Sequence, residues 1–345
     1  PETSLGNGYY YTVAVTFIGN APGGSILDDP VFNLLATAYL KDANANQQHV
    51  TILSQDTQYL DAWRYAYYGL GTAGPIKTNW NVLENACTTI DGYDSSLPNS
   101  SGLDTQVADA TLTVTGKQAV FLLEGTQDGP GFGGDPTGPT VIGDALVAKG
   151  LDPNQVIQER KGGDVTGDKT TLTAPETLPD VTCPGKSLGD YTFKTSYYAG
   201  MPTPSCWDTI VIKRDVEVNL KAAALLYVKQ LIIEDGGTFK VDGDTPFDLQ
   251  IYGLQPDADG DQNQVILEGN ATLIAGMLFP YGTVSVNATP GRQYDGTTAT
   301  VKGAIAAQRL LAGSNAGGCA HISHDRNIMN VQFTPVVIAW EQEAP

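Results

Sequence analysis

The residues with the clearest chemical spacing are Asp257, Asp259 and Asp261, followed by Asn263 and Glu268. Carboxylates at loop positions 1, 3 and 5, an amide at 7 and a Glu at 12 offer hard oxygen ligands at the spacing of a calcium-binding loop. Position 6 needs glycine for its sharp turn and is Gln262 here, while the flanks LQIYGL and QVILEG read as strands. That excludes an EF-hand. The remaining expectation is that three Asp side chains converge on a turn as a candidate Ca²⁺ site, with a solvated acidic turn as the alternative. Asp164-x-Thr166-x-Asp168 and Asp242-x-Asp244 with Asp248 echo the pattern more weakly and read as turn-stabilising Asx clusters.

Cys319, His321, His324 and Asp325 stand close together, in a run that can ligate a metal or form a hydrogen-bonded corner. Two histidines three apart on a strand face opposite sides, which favours the corner. No G-x-S-x-G occurs and the chain has only three histidines, so nucleophilic hydrolysis has no support. Lys213-Arg214, Lys229, Arg309 and Arg326 can line a face that grips acidic sugars, or balance neighbouring Asp; the second use is commoner. Asn99, Asn270 and Asn287 head glycosylation sequons. Tyr9–Tyr11, Tyr65/Tyr67/Tyr68 and Tyr197-Tyr198 suit either an interface or sheet packing.

These groups sit on a chain of 345 residues with 19 Lys+Arg and 38 Asp+Glu, a net charge of −19. Such a polyanion is a poor ligand for nucleic acid, which makes nucleic acid an unfavoured partner. No apolar run approaches the ~20 residues of a membrane span. The four cysteines, Cys87, Cys183, Cys206 and Cys319, lack CxxC spacing and read as two disulfides formed in an oxidising compartment. Three pairings are open, and Cys183 with Cys206, leaving Cys87 for Cys319, is the favoured one.

The elements that must position these residues differ along the chain. Tyr9 to Phe17 alternates as a strand does. The spacing of Val31, Leu34, Leu35, Ala38 and Tyr39 predicts a helix, and a second is expected at Gln58 to Tyr68. Ala110 to Thr115 and Ala119 to Glu124 read as a hairpin across Gly116-Lys117, followed by a short helix from Val141 to Lys149. The polar run from Gly162 to Asp180 is read as a domain boundary, giving an α+β region over 1–180 and a second domain over 181–345. That second part is a succession of short strands from Thr209 to Arg309 with Gly-rich corners. LIAGMLF at 273–279 and TVKGAIA at 300–306 echo each other, with Gly276 and Gly303 in matching places. Setting aside the Gly/Pro-rich excursion between them leaves a coil of roughly 18–20 residues, the size of one turn of a parallel β-helix. The expected fold is therefore mainly β: an irregular β-solenoid over about residues 190–325 joined to an α+β part, with an antiparallel sandwich as the alternative.

The succession GDYTFKTSYY, IVIKRDVEVNL, LLYVKQLIIEDGGTFKVDG, VILEGNATLIAGMLFPYGTVSVN, TVKGAIAAQRL and ISHDRNI resembles the β-solenoid domain of PilX-type and ComZ-type minor pilins. It is also similar to the repeat of choice-of-anchor-A surface adhesins. The resemblance runs from Gly189 to Ile328, with its blocks in the order G.LFP.G.V, VKGAI.A and a closing HD. It implies a non-enzymatic protein of the cell surface or extracellular space, either the minor tip subunit of a type IV pilus-like appendage or an adhesin. Its partners would be other appendage subunits or a host or surface ligand, or DNA in the case of a DNA-receptor pilin. An extracellular β-helix enzyme acting on polysaccharide is the competing class. The apolar helix with which such pilins begin does not stand at Pro1.

Overall fold

Along Ala224–Ile233 buried and partly exposed residues nearly alternate, and the same pattern returns in Glu217–Leu220, Thr238–Val241 and Leu249–Gly253. Each run is a strand with its Val, Ile, Leu and Phe on one side, so each needs neighbours to bury that side. A computed structural model shows how they find them. It describes residues 2–6, 9–20, 30–40, 48–55, 63, 65–70, 80–93, 106–107, 112–114, 120–125, 138–172, 181–255, 263–288, 296–314, 317–325 and 336–343. Among the described residues the chain is mainly β, and its one α-helix is the short Pro153–Val156.

The chain divides into two units, Leu60–Val331 and Pro1–Tyr59 with Gln332–Pro345. This differs from the boundary expected in the polar run from Gly162 to Asp180. That run falls inside the larger unit, and its described part carries the strands Asp164–Val165 and Lys169–Thr171.

The smaller unit is an antiparallel sheet in the order Glu2–Gly6, Tyr9–Asn20, Pro30–Leu40, Gln48–Gln55, Val336–Glu343. The helix expected over Val31 to Tyr39 is thus a strand. Its apolar spacing fits either period, and pairing along Tyr9–Asn20 on one side and Gln48–Gln55 on the other decides for the extended form. The helix expected from Gln58 to Tyr68 also gives way at its end to a strand, Tyr67–Gly69, which pairs in parallel on two sides. Among the described residues of 1–180 the strands are joined by a single α-helix, the short Pro153–Val156.

In the larger unit every described strand pairing is parallel except that of Thr89–Tyr93 with Gln106–Val107. The strands stack in three columns, and the chain visits the columns in turn. One ladder through the first column reads Val218, Phe239, Leu273, Val301, Ile322, Ile90, Val141, Val165. All these side chains are buried, and at ~25 cal/mol per Å² such a column is a large part of what holds the unit together.

The order of that ladder is not the order of the sequence: after Ile322 comes Ile90. The chain enters the stack in the middle, runs out to one end at Lys169–Thr171, resumes at the other end at Tyr191–Phe193, and returns to the middle at Cys319–Asp325. The middle coil is composite. Its first-column strand is the late segment Cys319–Asp325, and its second-column strand is the early segment Tyr67–Gly69. Leu112–Val114 and Val120–Glu124, expected as a hairpin, instead lie in different columns and pair in parallel with other coils. The helix expected from Val141 to Lys149 is the strand Ala145–Val147, paired on both sides.

Where the stack is most regular, Ile212 lies opposite Ile233 and Val218 opposite Phe239. The same sequence offset, 21, separates Lys213 from Glu234 and Lys221 from Asp242, and it is the length of one coil there. The echoing segments are set further apart, with Gly276 opposite Ala304 and Ala275 opposite Gly303. The two glycines are therefore not ladder partners. Gly303 has a φ of 131°, and a β-carbon there would stand 2.1 Å from the Ala275 carbonyl oxygen, so its lack of a side chain is a structural requirement.

The regular coil length also explains Lys213, Arg214 and Lys229, while Arg326 lies outside the described residues. Lys213–Glu234 (2.6 Å), Arg214–Asp235 (3.7 Å), Lys221–Asp242 (3.0 Å) and Asp208–Lys229 (3.0 Å) are all ion pairs between adjacent coils. The Lys221 ammonium holds the Asp242 carboxyl below its ordinary range. These pairs face solvent and contribute little individually. K213A is expected to change unfolding stability by less than about 1 kcal/mol in a urea titration.

Candidate functional site

The chemically richest described residues collect where the early and late halves of the chain meet, between the coil of Cys319–Asp325 and the coil of Thr89–Tyr93. Ladder pairing sets Lys302 beside Ser323 and Ser323 beside Asp91. The Asp91 carboxylate, 6% exposed, accepts the Ser323 hydroxyl at 2.7 Å and lies 2.9 Å from His321 Nε2. Lys302 Nζ stands 5.7 Å over the Tyr93 ring. His324 is buried, with Nε2 2.9 Å from the Trp63 carbonyl oxygen.

This arrangement does not assemble a nucleophile. In a Ser–His–Asp relay the imidazole lies between hydroxyl and carboxylate and takes the hydroxyl proton. Here the carboxylate lies between the other two, and the serine hydroxyl donates to it. Nor is it a metal centre: among the described residues no group of three His, Cys, Asp or Glu converges. Cys319 is bonded to Cys87, and His321 and His324 have different partners. The run is not the corner expected there: it is the strand Cys319–Asp325, paired in parallel on both sides.

What the seam does is hold the two halves together. The Cys87–Cys319 bridge spans it with a Cα–Cα distance of 5.4 Å. Asn85 Nδ2 donates to the carbonyls of Ser314 and Gly318, and the Ala320 N–H donates to Thr88 Oγ1. Inside the stack, fully buried Asn81 is the hub: its Oδ1 accepts the Tyr67 hydroxyl at 2.5 Å and the Leu310 N–H at 2.8 Å. Burial pushes the Tyr67 phenol far above its usual pKa, so it stays a neutral donor. Asp91, Asn81 and Thr88 were not singled out from the sequence. The signal available was the Cys87/Cys319 pairing itself, which brings the residues after Cys87 beside those after Cys319.

The second disulfide, Cys183–Cys206, has a Cα–Cα distance of 5.9 Å. Both pairs are thus the ones favoured from the sequence. Cys206 begins an outward-facing ladder of the second column that continues through Tyr227, Tyr252, Leu278, Ala306 and Tyr68. Tyr227 and Tyr252 stack at 5.4 Å, and burial raises the pKa of both phenols. Trp63 closes over this strip, its Nε1 donating to the Met277 carbonyl at 3.1 Å. Leu172 and Val181 are buried in the same cluster. Tyr65, Tyr67 and Tyr68 accordingly pack, and of the tyrosine-rich segments with described side chains only Tyr197-Tyr198 reaches solvent.

The three Asp of the expected calcium site, Asp257, Asp259 and Asp261, fall outside the described residues. Asn263 opens the strand Asn263–Leu267, and Glu268 is buried at the corner after it. The weaker echoes are turn clusters. Asp144 Oδ1 accepts the Asp168 N–H, Thr166 Oγ1 accepts the Gly143 N–H, and Asp242 and Asp244 pair with Lys221 and Lys240. Of the sequons, Asn270 is exposed, whereas Asn287 is fully buried with Nδ2 bound to the Gly269 and Cys319 carbonyls. Asn99 lies outside the described residues. No helix among the described residues is long and apolar enough to cross a membrane. Comparison with protein-family models, with curated proteins and with solved structures finds no match.

Proposed function

We propose that this protein is an extracellular structural protein in which a β-solenoid serves as a rigid scaffold, displaying its corner excursions to a partner on a surface or within an appendage. The observation that carries this reading is the seam. Its polar and covalent chemistry is spent on joining two halves of one stack: a buried asparagine, a shared carboxylate and a disulfide between cysteines far apart in the chain. Backbone hydrogen bonds satisfied coil to coil make such a stack stiff along its ladders. Two disulfides with no free cysteine fit a compartment that oxidises thiols. Connections that break the regular rhythm of the coils, such as the one between Leu249–Gly253 and Asn263–Leu267, are where a display scaffold varies its surface without disturbing the ladders.

The test is made on intact cells of the producing organism. A membrane-impermeant amine label is expected to modify the protein, and thiol alkylation without reduction is expected to leave all four cysteines unmodified. A protein protected from the label and carrying free thiols would remove the basis for this reading.

A further inference from the structure

The two ends of the stack are chemically unlike. At one end the outermost segments, Ile157–Arg160 through Lys169–Thr171, expose Glu159, Arg160, Asp164, Asp168 and threonines, the polar finish that terminal repeats need in water. At the other end stand Leu188, Tyr191 and Tyr198, exposed by 54, 43 and 54%, the three large apolar side chains most open to solvent among the described residues. Beside them Pro184, Leu188, Pro202 and Pro204 line a shallow apolar cleft. The last strand of this end, Tyr191–Phe193, pairs among the described residues with Ser205–Ile212 on one side only. An unpaired parallel edge with aromatics at its rim is a template for another strand.

The residues around that edge read Asp190-Tyr191-Thr192-Phe193-Lys194. Antiparallel pairing of this strand with itself, centred on Thr192, sets Asp190 directly opposite Lys194 of a second copy and, by the two-fold, Lys194 opposite Asp190. Tyr191 meets Phe193 across the same axis. Alternation puts Asp190, Thr192 and Lys194 on the outer side and the two aromatics toward the interior, as the buried Phe193 and its ladder partner Ile212 show. Both charges are exposed, and neither joins an ion pair among the described residues. Opposite charges directly across an antiparallel pair stabilise it and like charges oppose it. We infer that this end is a homotypic docking edge, at which two copies join end to end through antiparallel pairing of Tyr191–Phe193, covering Leu188, Tyr191 and Tyr198.

The experiment is sedimentation velocity on the full oxidised chain over a concentration series, with D190K, K194D and the double variant D190K/K194D. All these changes are at exposed positions, and melting curves confirm that each variant folds. The wild type is expected to dimerise. Each single swap, which by symmetry creates two like-charge contacts, should weaken the dimer at least about tenfold, and the double swap should return it to near the wild-type constant. A wild type monomeric at ~100 µM, the weak end for a specific contact, would mean that something other than a second copy covers this end and would overturn the inference. A dimer indifferent to the single swaps, or one that the double swap does not restore, would overturn it as well. None of these outcomes depends on where the protein resides in the organism, so the inference and the proposed function fail separately.

Discussion

Removing the Cys87–Cys319 bridge by C87S/C319S is expected to lower unfolding stability by about 5 kcal/mol, and removing Cys183–Cys206 by C183S/C206S by about 3 kcal/mol. The ranking follows from the loops they close, since the cysteines are separated by 232 residues in one case and 23 in the other. A longer loop denies the unfolded chain more conformational entropy. Location reinforces the order. Cys87–Cys319 crosses the seam, where no peptide bond joins the two stacked strands, while Cys183–Cys206 anchors a connection already packed on the outer strip through Val181. Urea titrations of the two double variants against the oxidised wild type measure both numbers. Equal losses, or a larger loss from the shorter loop, would show that the seam is held by its ladders and that the long-range bridge is incidental.

N81A is expected to cost about 2–5 kcal/mol. The substitution strands two buried donors, the Tyr67 hydroxyl and the Leu310 N–H, and an unsatisfied buried polar group costs about 1–3 kcal/mol. Among the described residues the phenol's other acceptor is the Ala307 carbonyl at 3.5 Å, too far to replace a 2.5 Å bond. A double-mutant cycle makes the prediction specific. In N81A/Y67F the phenol no longer needs a partner, so the pair should lose less than the sum of the single losses, whereas simple cavity formation would give additive losses. Hydrogen exchange at Leu310 reads the same event locally, since that amide should lose protection in N81A and keep it in Y67F.

Much of this was present in the sequence because it depends on local pattern. From Thr209 to Arg309 the alternation of apolar residues and the Gly- and Asp-rich corners identified nearly every strand of that part within a few positions. The absence of CxxC spacing and the even count of four cysteines pointed to two disulfides and left three pairings open, of which the favoured one forms. That His321 and His324 do not share a face was legible, because residues three apart on a strand point to opposite sides. The run itself reads as a corner and is the strand Cys319–Asp325, whose partner Thr89–Tyr93 is distant in the chain. The charge pairs one coil apart, Lys213 with Glu234 and Lys221 with Asp242, hold the true coil length and were an unused signal, since unequal corner excursions blur the period elsewhere.

What local pattern lacks is the identity of neighbours. Pro30–Leu40 has an apolar spacing that fits a helix, and only pairing on both sides makes it a strand. Val120–Glu124 reads as half of a hairpin because its parallel partners, Trp80–Glu84 and Ile157–Arg160, are distant in the chain and leave no trace in its own sequence. The composite coil is the extreme case: Ile322 stacks on Ile90, and no period in the chain connects them. The sequence determined which segments are strands and which side of each must be buried, because alternation is a property of the strand alone. Only the tertiary structure decided in what order those strands stack, because a parallel ladder joins residues by spatial register and accepts any two strands that present a matching apolar side.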